Sequence, residues 1–563
     1  MQTNLSEVPA LSDDHIYFIP LGGTGEIGMN LNVYQLNNSL IAVDLGMTFA
    51  DESLPGIDLL VPDPEYLVKN KKKLLGLLIT HAHEDHIGAI PYIWPELQCP
   101  IYATPFAGEL ISQKCNEFSN IENIPLNIVS NSKPIKLGPF EISYIPITHS
   151  IPEARSLQIK THLGTLVHTG DWKLDNDPLI GPKTKEKTFR TIGKKGVIAV
   201  IGDSTNAPQE GWSGSELTVK KTFLELFQNK KGTIAVTHFS SNIARLVSII
   251  SSAHSVNREV VLVGRSLKKY FNAAKKTGVI KDLRVLSEEE GKNLHPDQII
   301  LVCTGCQGEP RAAMSKLAGE YHPCLSLESG DTVIFSSKII PGNEKPIAVL
   351  KNKLNQKGIK IIDENFKGIH VSGHPHKDEI KELYSWLKPK AVIPVHGENR
   401  HLQSHSNIAL DAGIQTSPII KNGDILKIAP GKVEVVCSIQ SGKLAVDGSR
   451  LLKVNHPSIK RRNKLKENGI VLVAMAITKT GRLLGEVSIT GHGIFDSEDE
   501  TLLINKARIL AMRILNEDKK LSIFCAQNTK EKIRLALKRF FKDHYNKKPR
   551  IEVQLILTKH THI

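Results

Sequence analysis

The sequence predicts an α/β protein of more than one domain, and three observations carry that reading. Short β-rich runs recur from Ile16 to about residue 205: IYFIPL, LNVYQL, SLIAVDLG, LLGLLIT, FEISYIPIT and GTLVHTGD, with helical patterns between some of them. That is a mixed sheet with helices outside it. From about 206 to 365 strands and long helical stretches alternate, the strands being GTIAVTHF, EVVLVG, QIILVCTG and DTVIFSS. This is the pattern of a doubly wound α/β unit. From about 366 to 450 short strands return, among them GIHVSG, AVIPVHG, DILKIA and KVEVV. The doubly wound unit therefore reads as an insertion into the first domain.

A length of 563 residues, several times the roughly 100–200 of one domain, fits that division. The domains are placed at 1–205 and 366–450 for the two parts of the first, with the insertion at 206–365. A basic linker is expected at 451–468, where Lys453, Lys460, Arg461, Arg462, Lys464 and Lys466 face one acid, Glu467. A small α+β domain follows at 469–563. Its strands read as GIVLVAMAIT, LLGEVSIT and IEVQLILT, with a helix near 499–516 and a basic helix near 529–545.

Hydrophobic residues make up 40% and charged residues 23%, ordinary for a globular chain. Lys plus Arg exceed Asp plus Glu by 72 − 58 = 14. With a pI near 9.2, that points to an anionic partner, of which nucleic acid is the commonest. The seven cysteines are scattered and mostly sit in apolar runs, as reduced thiols of a cytosolic protein do. The opening MQTNLSEVPALSDD has no apolar signal core, and no later run reaches membrane-spanning length. The chain reads as cytoplasmic, with no membrane partner.

The strongest signal is His81-Ala82-His83-Glu84-Asp85-His86, directly after the apolar strand LLGLLIT. Imidazole nitrogen and carboxylate oxygen at this density suit Zn²⁺ and similar ions. In an extended loop, residues i and i+2 point the same way, so His81 and His83 can share one ion while Asp85 and His86 face another. His149, Asp171 and His396 also follow strands, and strand ends of an α/β sheet converge on one edge. Asp44 in IAVDLG is read as a partner that orients a ligating histidine.

With these motifs on one chain, the sequence resembles the metallo-β-lactamase superfamily. Asp203 in VIGDSTN, His374 in HVSGHPH and His396 in PVHGE narrow the likeness to the β-CASP nucleases. The opening PLGGTGEIGMN, the run CTGCQGEPRAAMSKLA and the order of all motifs narrow it to the ribonuclease J family. The likeness covers nearly the whole chain and is weakest over the last hundred residues. Pro375 and His376 after SGH depart from the small or polar residues of many members.

The resemblance implies a metallo-β-lactamase αββα sandwich with an inserted β-CASP domain and a small C-terminal α+β domain. It implies two Zn²⁺, with Mn²⁺ also suited to the same ligands. His81, His83 and His149 would hold one ion, Asp85, His86 and His396 the other, and Asp171 would bridge them. The implied activity is a metal-dependent ribonuclease, a 5′-to-3′ exonuclease with endonuclease cleavage as well. It would act in RNA maturation and decay, rRNA processing included, and leave 5′-phosphate and 3′-hydroxyl ends. His374 is the candidate general acid, with Asp203 orienting it and Asp171 at the metals. Single-stranded RNA bearing a 5′-monophosphate is the implied substrate, and a homodimer or homotetramer the implied assembly. His238, Ser240 and Asn242 of THFSSN, with His370, Val371, Ser372, Gly373 and His374, form a candidate phosphate cradle of hydroxyls and backbone N–H groups. The alternative is a non-catalytic RNA-binding scaffold, in which ligand positions would be lost.

Other motifs carry less. Gly23-Thr24-Gly25-Glu26-Ile27-Gly28 fits GxGxxG, but a strand-like run follows it where a dinucleotide site needs a helix. It is expected to make a tight turn near the metal edge. Cys303-Thr304-Gly305-Cys306 lacks a second pair, and His162, His168 and His322 lack partner spacing. These are expected to be structural.

Overall fold

Two sheets face each other in the first of two units of this chain. Both units are seen in a computed structural model that describes residues 11–129, 133–281, 283–494, 500–519 and 524–558. The first unit comprises Met1–Thr48 and Val61–Lys443, the second Phe49–Leu60 and Leu444–Ile563. The opening MQTNLSEVPA, part of the case for a missing signal segment, lies outside the described residues.

The larger sheet has eight strands in the order Glu434–Ser438, Asp424–Ala429, Ile16–Gly22, Leu31–Leu36, Ser39–Val43, Leu74–Leu78, Ile101–Ala103 and Leu126–Ile128. The smaller has six, in the order Ile135–Leu137, Phe140–Pro146, Arg155–Thr161, Gly164–His168, Val197–Asp203 and Val392–Val395. Alternation sets which side chains meet between them. In Phe140–Pro146, Phe140, Ile142 and Tyr144 point inward while Glu141 is exposed. They pack with Leu157, Ile159, Leu166, Ile201 and Ile393 of their own sheet against Phe18, Tyr34, Ile41 and Leu78 of the other. Burying each such side chain stabilises the sandwich by about 1.5–3 kcal/mol.

Helices Glu186–Lys194, Lys377–Leu387 and Asn399–Asp411 cover the outer face of the six-stranded sheet. Phe189, Ile192, Ile380, Leu383, Trp386 and Leu387 pack there around Val200 and Val392. Sandwiched sheets with outer helices are the αββα architecture expected from the sequence.

Between Val197–Asp203 and Val392–Val395 the chain leaves the sandwich and builds a five-stranded sheet. Its order is Glu259–Val263, Ile299–Cys303, Ile234–Thr237, Thr332–Phe335 and Lys360–Ile362, all parallel. IILVC is buried throughout, as a parallel strand covered on both faces must be. Cys303 and Cys306 are free and buried, and burial pushes the Cys306 thiol up to about 12. They are packing residues, as expected. The returning strand pairs in parallel with the departing one, Asp203 opposite Val395. That register puts Asp203 and His396, the residue after Val395, on one sheet edge.

In the second unit, Ile470–Ile477 lies between the antiparallel Leu483–His492 and the parallel Arg550–Leu557. Helices Glu500–Lys519 and Ala526–Tyr545 complete its core. Thr529, Ile533, Leu537 and Phe541 recur every four residues and form the buried stripe of the second helix. The segment expected as a linker is instead largely a helix, Pro457–Asn468. Proline in its first turn and the His456 side chain, which accepts from Ser458 N–H, start it, and Ile459 is buried beneath it. Counting charges alone missed these stop and start signals. Among the described residues, no helix is long and apolar enough to cross a membrane.

Candidate metal centre

Every residue of the centre stands just past a strand, on one edge of the sandwich. His81 follows Leu74–Leu78, His149 follows Phe140–Pro146, Asp171 follows Gly164–His168, and His396 follows Val392–Val395. His83 caps a short helix, Glu84–Ile87, so Asp85 and His86 lie in a helical turn rather than the extended loop expected. The turn aims His86 Nε2 at Asp171 and Asp85 at His396, while the His86 ring stays 4.0 Å from that of His81.

The loop after Ser39–Val43 lies beneath that turn. Leu45 N–H donates to His86 O at 2.7 Å and Met47 N–H to Glu84 O at 3.0 Å. Gly46 is required here, because a Cβ would stand 1.6 Å from the Asp85 carbonyl oxygen. Asp44 and His396 both hold left-handed backbones, φ 61° and 53°. Such strain in non-glycine residues gathers at functional sites.

Two donor groups result. In the first, His83 Nδ1 lies 3.1 Å from the Nε2 atoms of both His81 and His149. His81 Nδ1–H donates to Thr80 Oγ1 at 3.0 Å, and His149 Nδ1–H to Gly373 O at 2.6 Å. Those bonds fix the protons on Nδ1, so two bare Nε2 lone pairs converge on the His83 nitrogen. One proton cannot satisfy all three, whereas a tetrahedral ion bound at about 2.0–2.1 Å keeps its ligand atoms about 3.3 Å apart. Burial, with neighbouring histidines, holds His81 and His149 well below the usual range, and burial brings His83 to about 4. All three are neutral at pH 7, as ligands must be.

In the second group, His396 Nε2 lies 3.1 Å from Asp85 Oδ2, and His86 Nε2 lies 3.2 Å from Asp171 Oδ2. Here too the far nitrogens are held. His86 Nδ1–H donates to Asp44 Oδ2 at 2.7 Å, and His396 Nδ1–H to Thr205 Oγ1 at 2.6 Å. Asp171 Oδ2 is 3.8 Å from His81 Nε2, 3.9 Å from His149 Nε2 and 3.8 Å from His396 Nε2, so one carboxylate oxygen reaches both groups. Burial opposes charge on His86 and His396, but the surrounding carboxylates outweigh it and raise both. Burial likewise opposes charge on Asp85 and Asp171, and the histidines outweigh it and lower both. Four buried or half-buried carboxylates, Asp44, Asp85, Asp171 and Asp203, thus crowd one place, an arrangement that fits cations. The donor chemistry and spacing fit metal ions.

A third group, Asp171, Asp203, His374 and His396, adjoins these. His374 Nδ1 is 2.8 Å from Asp203 Oδ2 and 3.8 Å from Asp171 Oδ2. Burial opposes charge on His374, and Asp203 overcomes it, so the imidazole sits above its ordinary 6.5.

The expected cradle residues divide. Gly373 packs so closely that a Cβ would come within 2.9 Å of the His149 ring and 2.8 Å of Ser150 Oγ. Ser372 Oγ accepts from Asn206 Nδ2 at 2.6 Å, and Ser240 is half-buried and bonded to Ser266. His370 is nearly buried, and Val371 stands 3.0 Å from where a Gly214 Cβ would be. Both polar ends of Asn242 are taken up internally: Oδ1 accepts from Arg245 N–H, and Nδ2 donates to Glu216. Asn242 therefore caps helix Ile243–Ser255 rather than offering its amide outward. His238 is buried, its Nδ1–H donating to Phe239 O.

Sequence reasoning missed Thr80, Thr205, Lys173 and the Glu216–Arg245 pair. Thr205 follows Asp203 by two residues and Lys173 follows Asp171 by two, the only local signals they give. The run Gly23–Gly28 turns as expected at this edge, and Thr24–Gly25 pairs with Gly397–Glu398 beside His396. His168 is a satisfied core residue, 2.9 Å from Tyr34 Oη.

An αββα sandwich with this edge cluster and a doubly wound insertion defines a metal-dependent hydrolase of the metallo-β-lactamase class. The comparisons agree region by region. Residues 55–186 match the Beta-lactamase superfamily domain and 231–354 the Ribonuclease J beta-CASP domain. Residues 358–417 match the Zn-dependent metallo-hydrolase RNA specificity domain, and 457–557 the Ribonuclease J C-terminal domain. Ribonuclease J of Sinorhizobium meliloti is 41% identical over 498 residues, 87% of this chain and 88% of that one. Ribonuclease J 1 of Streptococcus pyogenes is 33% identical over the full length of both. A solved Enterococcus faecalis protein of unknown function covers 73% of this chain and all of its own, with TM-score 0.51 and 15% identity, a likeness of fold. The chain belongs to the ribonuclease J family and is a metal-dependent ribonuclease.

Proposed function

We propose that the chain binds two Zn²⁺, or two Mn²⁺, and degrades single-stranded RNA from a 5′-monophosphate in the 5′-to-3′ direction, with internal cleavage as a second activity. In this reading His81, His83 and His149 would hold one ion and Asp85, His86 and His396 the other, with Asp171, whose Oδ2 reaches both groups, serving each. Bound there, the ions would supply Lewis-acid chemistry, making water nucleophilic near neutral pH and offsetting charge on the phosphodiester. The protein's own groups do the rest. Asp44 and Thr205 keep the imidazoles of His86 and His396 turned with Nε2 inward. Asp203 holds His374 by Nδ1, which leaves Nε2–H free to protonate the departing 3′ oxygen. The products are a 5′-phosphate and a 3′-hydroxyl. The turn Ser372–His374 offers its hydroxyl and backbone to the RNA phosphate.

The observation that carries this reading is the His374–Asp203 pair, 3.8 Å from the shared carboxylate of both donor groups. A charged histidine at that point is an acid in place for a phosphodiester leaving group. The inserted domain at 206–365 would close over RNA at the metal edge, the chain would self-associate as a dimer or tetramer, and the cytoplasm is the compartment we assign.

The test is product analysis with purified, metal-loaded protein on RNAs that differ only at the 5′ end. Mononucleotide release from the 5′-monophosphate form, lost in Asp85→Ala and His86→Ala, is the expected result. RNA binding without turnover would leave a scaffold.

A further inference from the structure

The turn Ser372–Gly373–His374 has its carbonyls drawn inward. Ser372 O accepts from Lys173 Nζ at 3.2 Å, and Gly373 O accepts from His149 Nδ1–H at 2.6 Å. In a planar trans peptide the N–H points opposite the C=O. The Gly373 N–H therefore faces out of the protein, and among the described residues it meets no acceptor. His374 N–H donates within the turn to Ser372 Oγ at 3.2 Å. An outward amide beside a hydroxyl can hold an anion, and its direction depends on what pulls the Ser372 carbonyl in.

Lys173 does the pulling on the Ser372 side. Its ammonium is 2% exposed and donates to Gly214 O at 2.8 Å as well, with Asp175 Oδ2 at 3.6 Å. A buried ammonium is costly unless its donors are used, and here they tie two loops together. Lys173 also stands two residues after Asp171, so its backbone shares a loop with the carboxylate that reaches both donor groups. Asp171 at one end of that short segment and the Lys173 ammonium at the other fix the span between the metal centre and the turn.

We propose that Lys173 is a positioning residue that holds the Ser372 carbonyl inward, so that the Gly373 N–H meets an RNA phosphate at a set distance from Asp171. The inference rests on the phosphate-cradle reading above.

The experiment is steady-state cleavage by full-length, metal-loaded Lys173→Met, on RNAs of one sequence carrying a 5′-monophosphate or a 5′-hydroxyl. Metal content and melting temperature are measured alongside. The expected result is wild-type metal content with KM for the monophosphate RNA up by about tenfold or more, the contribution of one hydrogen bond to a charged group. The kcat should stay within about threefold, since the loss lies in binding. Lys173→Arg, which keeps a cation, should recover most of the KM. A folded, metal-replete Lys173→Met with unchanged KM overturns the proposal. So does a fall in kcat that accompanies lost metal. If Lys173→Met does not fold, Lys173→Gln and Lys173→Arg carry the test: KM raised in the first and near wild type in the second supports it, and wild-type KM in both overturns it. A wild type indifferent to the 5′ end refutes the monophosphate reading alone. The common KM then decides, rising in Lys173→Met if the turn grips an internal phosphate and unchanged if Lys173 has no such role.

Discussion

Asp203 ties His374 and His396 to one carboxylate. Its Oδ2 lies 2.8 Å from His374 Nδ1, and its Oδ1 accepts from Thr205 Oγ1 at 2.7 Å, which in turn accepts from His396 Nδ1–H at 2.6 Å. One side chain so orients a candidate proton donor and a candidate metal ligand. Asp203→Asn keeps the shape but reverses one hydrogen-bonding end. The expected loss is about 10²–10⁴ in kcat, the range general-acid groups supply, with metal affinity falling less. Single-turnover kinetics with metal analysis check it. Unchanged kcat would remove His374 and Asp203 from the chemistry.

Asp44 acts on the metal centre from behind. It accepts from Thr80 N–H and Oγ1, both at 2.8 Å, and from His86 Nδ1–H at 2.7 Å. Asp44→Ala frees both the His86 ring and, through Thr80, the His81 ring. Loss of such an outer partner weakens metal affinity by about 10–100-fold. Competition with a chelator of known affinity measures it, and wild-type affinity would contradict the role given to Asp44.

How legible this centre was depended on chemistry and chain position together. His81, His83, Asp85, His86, His149, Asp171 and His396 were readable because each is an unusual residue placed at the end of an apolar run. That they meet follows from strand ends sharing one sheet edge. Of the partners behind them, Asp44 is readable as a strand-end acid, but the others are not. Thr80, Thr205, Glu216 and Arg245 are common residues whose meaning lies in contacts across up to two hundred positions, and no local spacing marks them. Asn242 shows the opposite failure: a polar residue at a strand end looked free to bind phosphate, yet the start of a helix takes up its carbonyl. The basic segment at 451–468 shows a related limit, being largely the helix Pro457–Asn468. A run of lysines and arginines is as compatible with a solvated helical face as with an open connector.

Crowded carboxylates make metal removal a stability experiment. Without cations, Asp44, Asp85, Asp171 and Asp203 repel one another inside the site. Cations at about 100 times their Kd stabilise a protein by about 2.7 kcal/mol. At about 2–4 °C per kcal/mol for domains of this size, chelation is expected to lower the Tm by roughly 5 °C or more. Restoring Zn²⁺ or Mn²⁺ should restore it, and a Tm blind to chelation would argue against an occupied centre.

Two histidines outside the metal centre give stability a pH dependence. Burial, then Arg245, lowers His238 and His370 to about 3 in the folded chain, against an ordinary 6.5. The unfolded chain takes up these protons first, so the stability they confer is full above about pH 6.5. It is lost as pH falls toward 3, at up to about 1.4 kcal/mol per pH unit for each. Denaturant titrations of wild type and His370→Gln at several pH values between 7 and 4.5 separate this from carboxylate effects. The variant should show the shallower slope, and equal slopes would be inconsistent with a neutral buried His370.

Phe541 anchors the core of the second unit. It is fully buried on helix Ala526–Tyr545, in a cluster with Val471, Val473, Ile533, Leu537 and Val553. Every residue of that cluster lies between 471 and 553, so the damage from a cavity there should stay local. Phe541→Ala is expected to cost about 3–5 kcal/mol. Because none of the seven candidate metal ligands belongs to this unit, metal content should remain that of the wild type while a lower-temperature unfolding step appears. Calorimetry with metal analysis on the same sample reads both. If the metal were lost at the lower step, the C-terminal core would be supporting the catalytic edge, and the two units could not be treated as separately stabilised.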